Sequence, residues 1–370
     1  MNLAVTDQLL PITMVGSYPR PLWYRHQLSG RDLLEAVKLE EHAQAFEDAV
    51  ASVIRDQELA GLDVVSDGQM HFDDYGGSIG SFTWYWYERL QGFDAAKLPS
   101  PLASGASAVD ADILDNWGGV LANGRAGPGP IRLDAMYRIA ARHAHRPVKV
   151  CVGAGPLNLP IHVDYAHPGS AYSDSRALSE DLVPIFNAEM RSLVASGARM
   201  LQLDDLGAWL PVMTGDDSDA DFVVDVVNRT LEGVEAKVAW HFCLGNAYGN
   251  SNVSVWGGML ERILPPLYAT VVDQFVLDFA LREMRDVGIL STLPADKEVA
   301  AGVVDVRTLQ VESAEQIAER MRKVLEVVPA EQVWFTTDCG LRALPRFVAF
   351  EKLKSLRAAV EIVRAEVGHA

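Results

Sequence analysis

Eight short runs rich in β-branched residues, each ending on or near a Gly, Asp, Ser or Cys, recur between longer stretches with helical periodicity. They are Ile12 to Ser17 (ITMVGS), Leu62 to Asp67 (LDVVSD), Val148 to Gly153 (VKVCVG), Met200 to Asp205 (MLQLDD), Val238 to Gly245 (VAWHFCLG), Gln274 to Phe279 (QFVLDF), Ala301 to Val306 (AGVVDV) and Val333 to Gly340 (VWFTTDCG). Amphipathic stretches such as Leu178 to Ala195, Ala314 to Val327 and Arg346 to Val367 supply helices among them. Alternation of this kind is the signature of βα units around a parallel sheet. An open doubly wound sheet alternates too, but eight units without a Gly-rich dinucleotide fingerprint favour an α/β fold closed as a (β/α)8 TIM barrel. The expectation is one domain over residues 1–370.

One stretch breaks the rhythm. Between about Phe82 and Pro130 the aromatic string FTWYWYERLQGF is followed by a segment rich in Gly, Pro, Ala and Ser. It reads as a long βα insertion (about 82–130). Barrel active sites lie at the C-terminal ends of the strands, so an insertion there would cover the active-site mouth and exclude water. A packing flap or an oligomer contact is the equal alternative, and a homo-oligomer stays open.

The net charge of −18 argues against a nucleic-acid partner and against an anionic membrane surface, both of which are bound through clustered Lys and Arg. No apolar run approaches the roughly 18 to 20 residues that span a bilayer, and the N-terminus lacks a basic segment ahead of an apolar one. A cytoplasmic protein is expected. Three cysteines in 370 residues are no disulfide framework, which leaves core packing, catalysis or metal binding.

His241 and Cys243 stand two apart on one strand, so both side chains leave the same face near its C-terminal end. Cys339 ends another strand. Imidazole and thiolates at neighbouring strand ends suit tetrahedral zinc, and three protein ligands keep a position open for substrate. Any one of these residues alone is more simply a core residue; together they favour the metal. Cys151, inside VKVCVG with no partner motif, is expected to be structural.

The strings VGSYPRP, GLDVVSDGQ, QLDDLG, HFCLGN and TTDCGL, in this order, resemble the C-terminal catalytic barrel of cobalamin-independent methionine synthase and its single-barrel relatives. The resemblance runs over nearly the whole chain. It implies a zinc ion held by a His, two Cys and a Glu, which fall on His241, Cys243, Cys339 and, for the Glu, Asp278. It implies a small thiol, homocysteine or a similar molecule, attacking the methyl group of a small donor. Gly16 and Ser17 would then meet the thiol's carboxylate and Asp204 its amino group. The plainer readings are a turn glycine with a polar strand end, and a helix-capping pair of Asp204 with Asp205. A free thiol with pKa about 8.5 is mostly protonated at neutral pH, and coordination to zinc removes that proton.

Three departures from the family's pattern matter. Gln69 stands where the family has a Glu that pairs with the homocysteine ammonium, so a charge-assisted bond is given up. Arg307 stands where the full-length enzymes carry a His that protonates the departing folate nitrogen; Arg is a poor general acid but can clamp an anion. GAGPLNLP lacks the tryptophan of the folate-binding versions. The resemblance therefore leaves two enzymatic readings, a methyltransferase and a zinc enzyme like epoxyalkane:coenzyme M transferase that opens an epoxide with a sulfonated thiol. A non-catalytic zinc- or thiol-binding barrel is the reading from another class.

Overall fold

The computed structural model describes residues 5–28, 33–72, 81–98, 119–205, 218–242 and 260–368. Two strands come first, β1 (Asp94–Leu98) and β2 (Gly119–Leu121), paired antiparallel. Six parallel strands follow: β3 (Lys149–Cys151), β4 (Met200–Leu203), β5 (Lys237–Phe242), β6 (Gln274–Asp278), β7 (Glu298–Val304) and β8 (Val333–Thr337). They pair in sequence order into one sheet. Each corresponds to a run identified in the sequence, with β7 beginning three residues early.

The first two runs do not form regular strands. Each adds one parallel bridge at an edge of the sheet, Ile12 to Phe335 on β8 and Val65 to Val148 ahead of β3. The two segments also meet each other, Asp63 N–H donating to the Ile12 carbonyl at 3.0 Å. The ladders stay short for a chemical reason. Pro11 and Pro147 lie beside the bridges and have no N–H to donate. The N–H groups of Ile12 and Val15 go to side chains instead, Asp63 Oδ2 at 3.0 Å and Thr337 Oγ1 at 3.2 Å. What is seen is a curled parallel sheet whose edges are linked through these two segments.

Helices cover the outside. Ser175–Ala195 starts on Asp174, whose side chain accepts from Ala177 N–H at 2.9 Å. Ala314–Leu325 begins with a reciprocal capping box between Ser313 and Gln316, and Arg346–Val367 closes the chain as expected. Most of the apolar core lies between sheet and helices. A small separate cluster of Val15, Val64, Met200, Ala239, Val276, Ala300 and Trp334 fills the inside of the curl. Because side chains alternate along a strand, residues two further on from these project to the same inner side. Those are Gln202, His241, Asp278, Gly302 and Thr336.

Of the insertion, Ser81–Tyr87 is a helix, and it buries Trp84, Tyr85, Trp86 and Tyr87. Trp86 Nε1 donates to the Val152 carbonyl at 3.2 Å, just past β3, and its ring stacks on Phe186 with centroids 4.1 Å apart. The aromatics thus seat this segment at the C-terminal end of β3. Residues 99–118 of the insertion lie outside the described residues. Among the described residues, no helix is long and apolar enough to cross a membrane.

Candidate active site

Asp204, one residue past β4, is the hub of the inner face at its C-terminal end. Its Oδ1 accepts from Gln202 Nε2 at 2.7 Å and lies 3.1 Å from His241 Nδ1. Its Oδ2 accepts from Gln69 Nε2 at 3.2 Å. One carboxylate therefore joins the ends of β4 and β5 to the turn after the second run. Gln202 is itself fixed from below: its Oε1 accepts from Lys149 Nζ at 2.6 Å, while its Nε2 also reaches the Val15 carbonyl at 2.8 Å. Burial pulls the Lys149 ammonium's pKa down, and the negative charge of Asp204 works the other way.

Gly16 sits against this hub. A Cβ there would come within 2.7 Å of Cys151 Sγ and 3.3 Å of Gln69 Cδ. Cys151 donates to the Val15 carbonyl at 3.2 Å, and burial pushes its thiol's pKa well up, as for a core residue and not a reactive thiolate. Ser17 lies against the other side of the mouth, its Oγ filling the space that a side chain on Gly340 would need. The Ser17 carbonyl accepts from Leu341 N–H at 2.8 Å. Ser17 thereby borders the segment that carries Cys339.

Asp338 organises the ends of β6 and β8. Its Oδ1 accepts from Phe279 N–H at 3.2 Å and Ala280 N–H at 3.0 Å, and its Oδ2 from Leu281 N–H at 2.7 Å. Burial and the neighbouring Asp278 push its carboxyl pKa up, opposed by these N–H groups. The clamp draws the chain just after Asp278 to the residue just before Cys339. Gly302 makes the approach possible, since a Cβ there would lie 2.6 Å from Asp338 Oδ1 and 3.1 Å from the Asp278 Cα. Asp278 is almost fully buried and faces Arg282 Nη1 at 3.4 Å.

Arg307 is not brought into this cluster by any contact of the described residues. Its N–H donates to Asp305 Oδ1 at 2.8 Å, and its guanidinium stands 4.0 Å from the same oxygen. Asp205 accepts from Leu157 N–H at 3.1 Å in the loop after β3, and the segment that it and Asp204 would cap lies outside the described residues. Cys243 lies outside the described residues, and among the described residues no group of three or more His, Cys, Asp or Glu side chains is placed to hold a metal. Gln202, Lys149 and Asp338 were not singled out from the sequence. Gln202 and Lys149 show there only as polar residues at inward positions of otherwise apolar runs, and Asp338 only as one residue of the TTDCGL string.

Known proteins resemble this chain over nearly its full length. The family described as cobalamin-independent synthase, catalytic domain, matches residues 10–118 and 169–362. The methionine synthases of Sulfolobus acidocaldarius and Pyrococcus furiosus are each 30% identical over 365 residues, covering 97% of this chain and 94% of theirs. A B12-independent methionine synthase from Shewanella sp. W3-18-1, solved in complex with selenomethionine, superposes with a TM-score of 0.79 at 25% identity, covering 98% of this chain and 100% of that one. A methyltransferase from Methanosarcina mazei shares the fold at a TM-score of 0.56 and 14% identity, covering 97% and 95%. With its strand ends, its inner carboxylate hub and these relatives, the chain belongs to the cobalamin-independent methionine synthase catalytic-domain family.

Proposed function

We propose that this protein transfers a methyl group to the sulfur of homocysteine, acting as one (β/α)8 barrel unit over residues 1–370. The observation that carries the reading is the Asp204 carboxylate, held between Gln69, Gln202 and His241. An imidazole whose Nδ1–H donates to a carboxylate is fixed in ring orientation and tautomer, with Nε2 as its metal-binding nitrogen. By chemistry alone, His241, Cys243, Cys339 and Asp278 offer an imidazole, two sulfurs and a carboxylate, the donor types that zinc takes. The Asp338 clamp supports that set by tying together the ends of the strands that carry Asp278 and Cys339. When bound, zinc lowers the proton affinity of an incoming thiol and keeps its sulfur nucleophilic.

The chain's own residues supply orientation. An amide that donates Nε2 to Asp204 presents its Oε1 as a second acceptor, so the thiol's ammonium is received by Asp204 and Gln69 together. Ser17 and the backbone at Gly16 receive the carboxylate, on the side of the mouth where Ser17 borders Gly340. Holding the sulfur and the methyl carbon in line accounts for most of the acceleration such a site can provide. Arg307, a cation following β7, binds an anionic part of the methyl donor. A cytoplasmic setting belongs to the same reading, because it keeps Cys243 and Cys339 reduced.

The test is to load the purified protein with zinc and offer homocysteine with methylated folates, corrinoids and other methyl donors, following methionine by mass spectrometry. Methionine from one donor is the expected result. Gln69 and Arg307 also suit a sulfonated thiol, so 2-mercaptoethanesulfonate with epoxypropane is run in parallel. A thioether from that pair, with no methionine from any donor, refutes the methyltransferase reading.

A further inference from the structure

Gln69 adopts a left-handed backbone conformation, φ 54°, immediately after Gly68 at φ 68°. A side chain is disfavoured there unless its surroundings hold it. Both sides of the residue are held. Asp67 Oδ1 accepts from Gln69 N–H at 2.8 Å, and Arg20 Nη2 donates to the Gln69 carbonyl at 3.0 Å. The other Asp67 oxygen lies 2.8 Å from His71 Nδ1. His71 is 1% exposed, with its ring 4.1 Å from that of Phe72 and 5.3 Å from that of Tyr85.

Opposite a carboxylate, Nδ1 carries a proton and donates. Among the described residues the buried Nε2 has no hydrogen-bond partner, which a lone pair tolerates better than an N–H would. His71 therefore acts in one direction, on Asp67. From Asp67 the contacts continue through the Gln69 turn to Asp204, where Gln69 Nε2 arrives at 3.2 Å.

We propose that Asp67 and His71 are positioning residues for the acceptor thiol. His71 fixes the Asp67 carboxylate, Asp67 fixes the left-handed turn, and the turn aims the Gln69 amide at Asp204. The proposal rests on the reading of Gln69 and Asp204 as the anchor of that thiol.

Two substitutions separate this role from simple ring packing. His71→Phe keeps a ring against Phe72 and Tyr85 but removes the donor to Asp67, whereas His71→Asn keeps a donor near Nδ1 and removes the ring. Each variant, as full-length protein, is crystallised and assayed for KM and kcat with homocysteine. In His71→Phe the Gln69 amide is expected to leave Asp204 and the homocysteine KM to rise about tenfold, the scale of a lost hydrogen bond to a charged group, with kcat nearly unchanged. His71→Asn should restore both the contact and the KM. The reverse order, with His71→Phe like the parent and His71→Asn impaired, overturns the proposal. If His71→Phe does not fold, Asp67→Asn decides: a Gln69 amide that stays on Asp204 with parental KM also overturns it. Should the parent bind no homocysteine, the functional reading fails, and the position of Gln69 in the variant crystals still decides this one.

Discussion

Replacing Gly302 by Ala tests whether the ends of β6, β7 and β8 are packed as tightly as the metal-site reading requires. The new methyl carbon would stand 2.6 Å from Asp338 Oδ1, 2.8 Å from the Asp338 Cα and 3.1 Å from the Asp278 Cα. Two of the three are main-chain atoms, and ordinary carbon contacts lie at about 3.5 to 4.0 Å, so no side-chain rotation relieves the overlap. Backbone must shift on two strands, at a cost of about 1 to 3 kcal/mol for overpacking. The shift also carries the Asp338 carboxyl away from the N–H groups of Phe279, Ala280 and Leu281. Partial loss of three such bonds adds about 1 to 3 kcal/mol more. A destabilisation of about 2 to 6 kcal/mol is expected from the urea midpoint at constant m-value. Asp338→Ala removes the same three bonds, so the two changes should be strongly non-additive in a double-mutant cycle. A Gly302→Ala protein within about 1 kcal/mol of the parent, or additive with Asp338→Ala, would refute the reasoning.

Three further outcomes follow, two from the site and one from the buried core. His241→Ala and Cys339→Ser should each lose zinc that the parent retains after desalting, as read by elemental analysis; parental metal content in both would remove the proposed ligand set. Asp204→Asn turns the bond to His241 Nδ1 into a neutral one and should weaken zinc binding by about tenfold, measured by chelator competition; unchanged affinity would mean that Asp204 does not orient the ring. Burial pushes the pKa of His162 down to about 4 from 6.5. Its contribution to stability is therefore intact above pH 6.5 and lost as the pH falls from there to about 4, when the unfolded chain takes up the proton first. The full loss is roughly 3 kcal/mol, so His162→Leu should flatten the acid side of a urea-midpoint profile, and an unchanged slope would contradict the burial argument.

Much of the frame could be read from the chain because each βα unit carries its own local pattern. β5 and β8 stand where their β-branched runs predict, and alternation alone aims His241 inward beside Ala239. The runs at Ile12 and Leu62 failed as strands through their neighbours. Pro11 and Pro147 remove donors, and Asp63 and Thr337 compete for others. Asp204 was identified as a site residue from the resemblance, but its contact with His241 depends on how β4 and β5 align, Leu203 beside Trp240. The role of Asp338, a residue of the TTDCGL string, is hidden for the same reason. Its three partners lie 57 to 59 residues earlier, and nothing local in FTTD specifies them. Arg307 shows the opposite limit: a position inferred from family correspondence has no described contact with the hub.

The polar interior explains why the hub can be rigid. Gln202 is an amide between a cation and an anion, with Lys149 Nζ at 2.6 Å from its Oε1 and Asp204 Oδ1 at 2.7 Å from its Nε2. Reversing that amide would set oxygen against carboxylate and NH2 against ammonium, so the orientation is imposed by charge and not by shape. The amide in turn requires an acceptor at Asp204, which keeps that carboxylate turned toward His241. Lys149 is fully buried, and its charge is tolerated because the Met14 carbonyl and Gln202 both accept from it. A buried cation below the mouth thus helps, through two side chains, to keep Asp204 opposite His241 Nδ1, the orientation that the proposed zinc site needs. What the proposed site gains from a charge kept in the core is a fixed neighbour for the His241 ring.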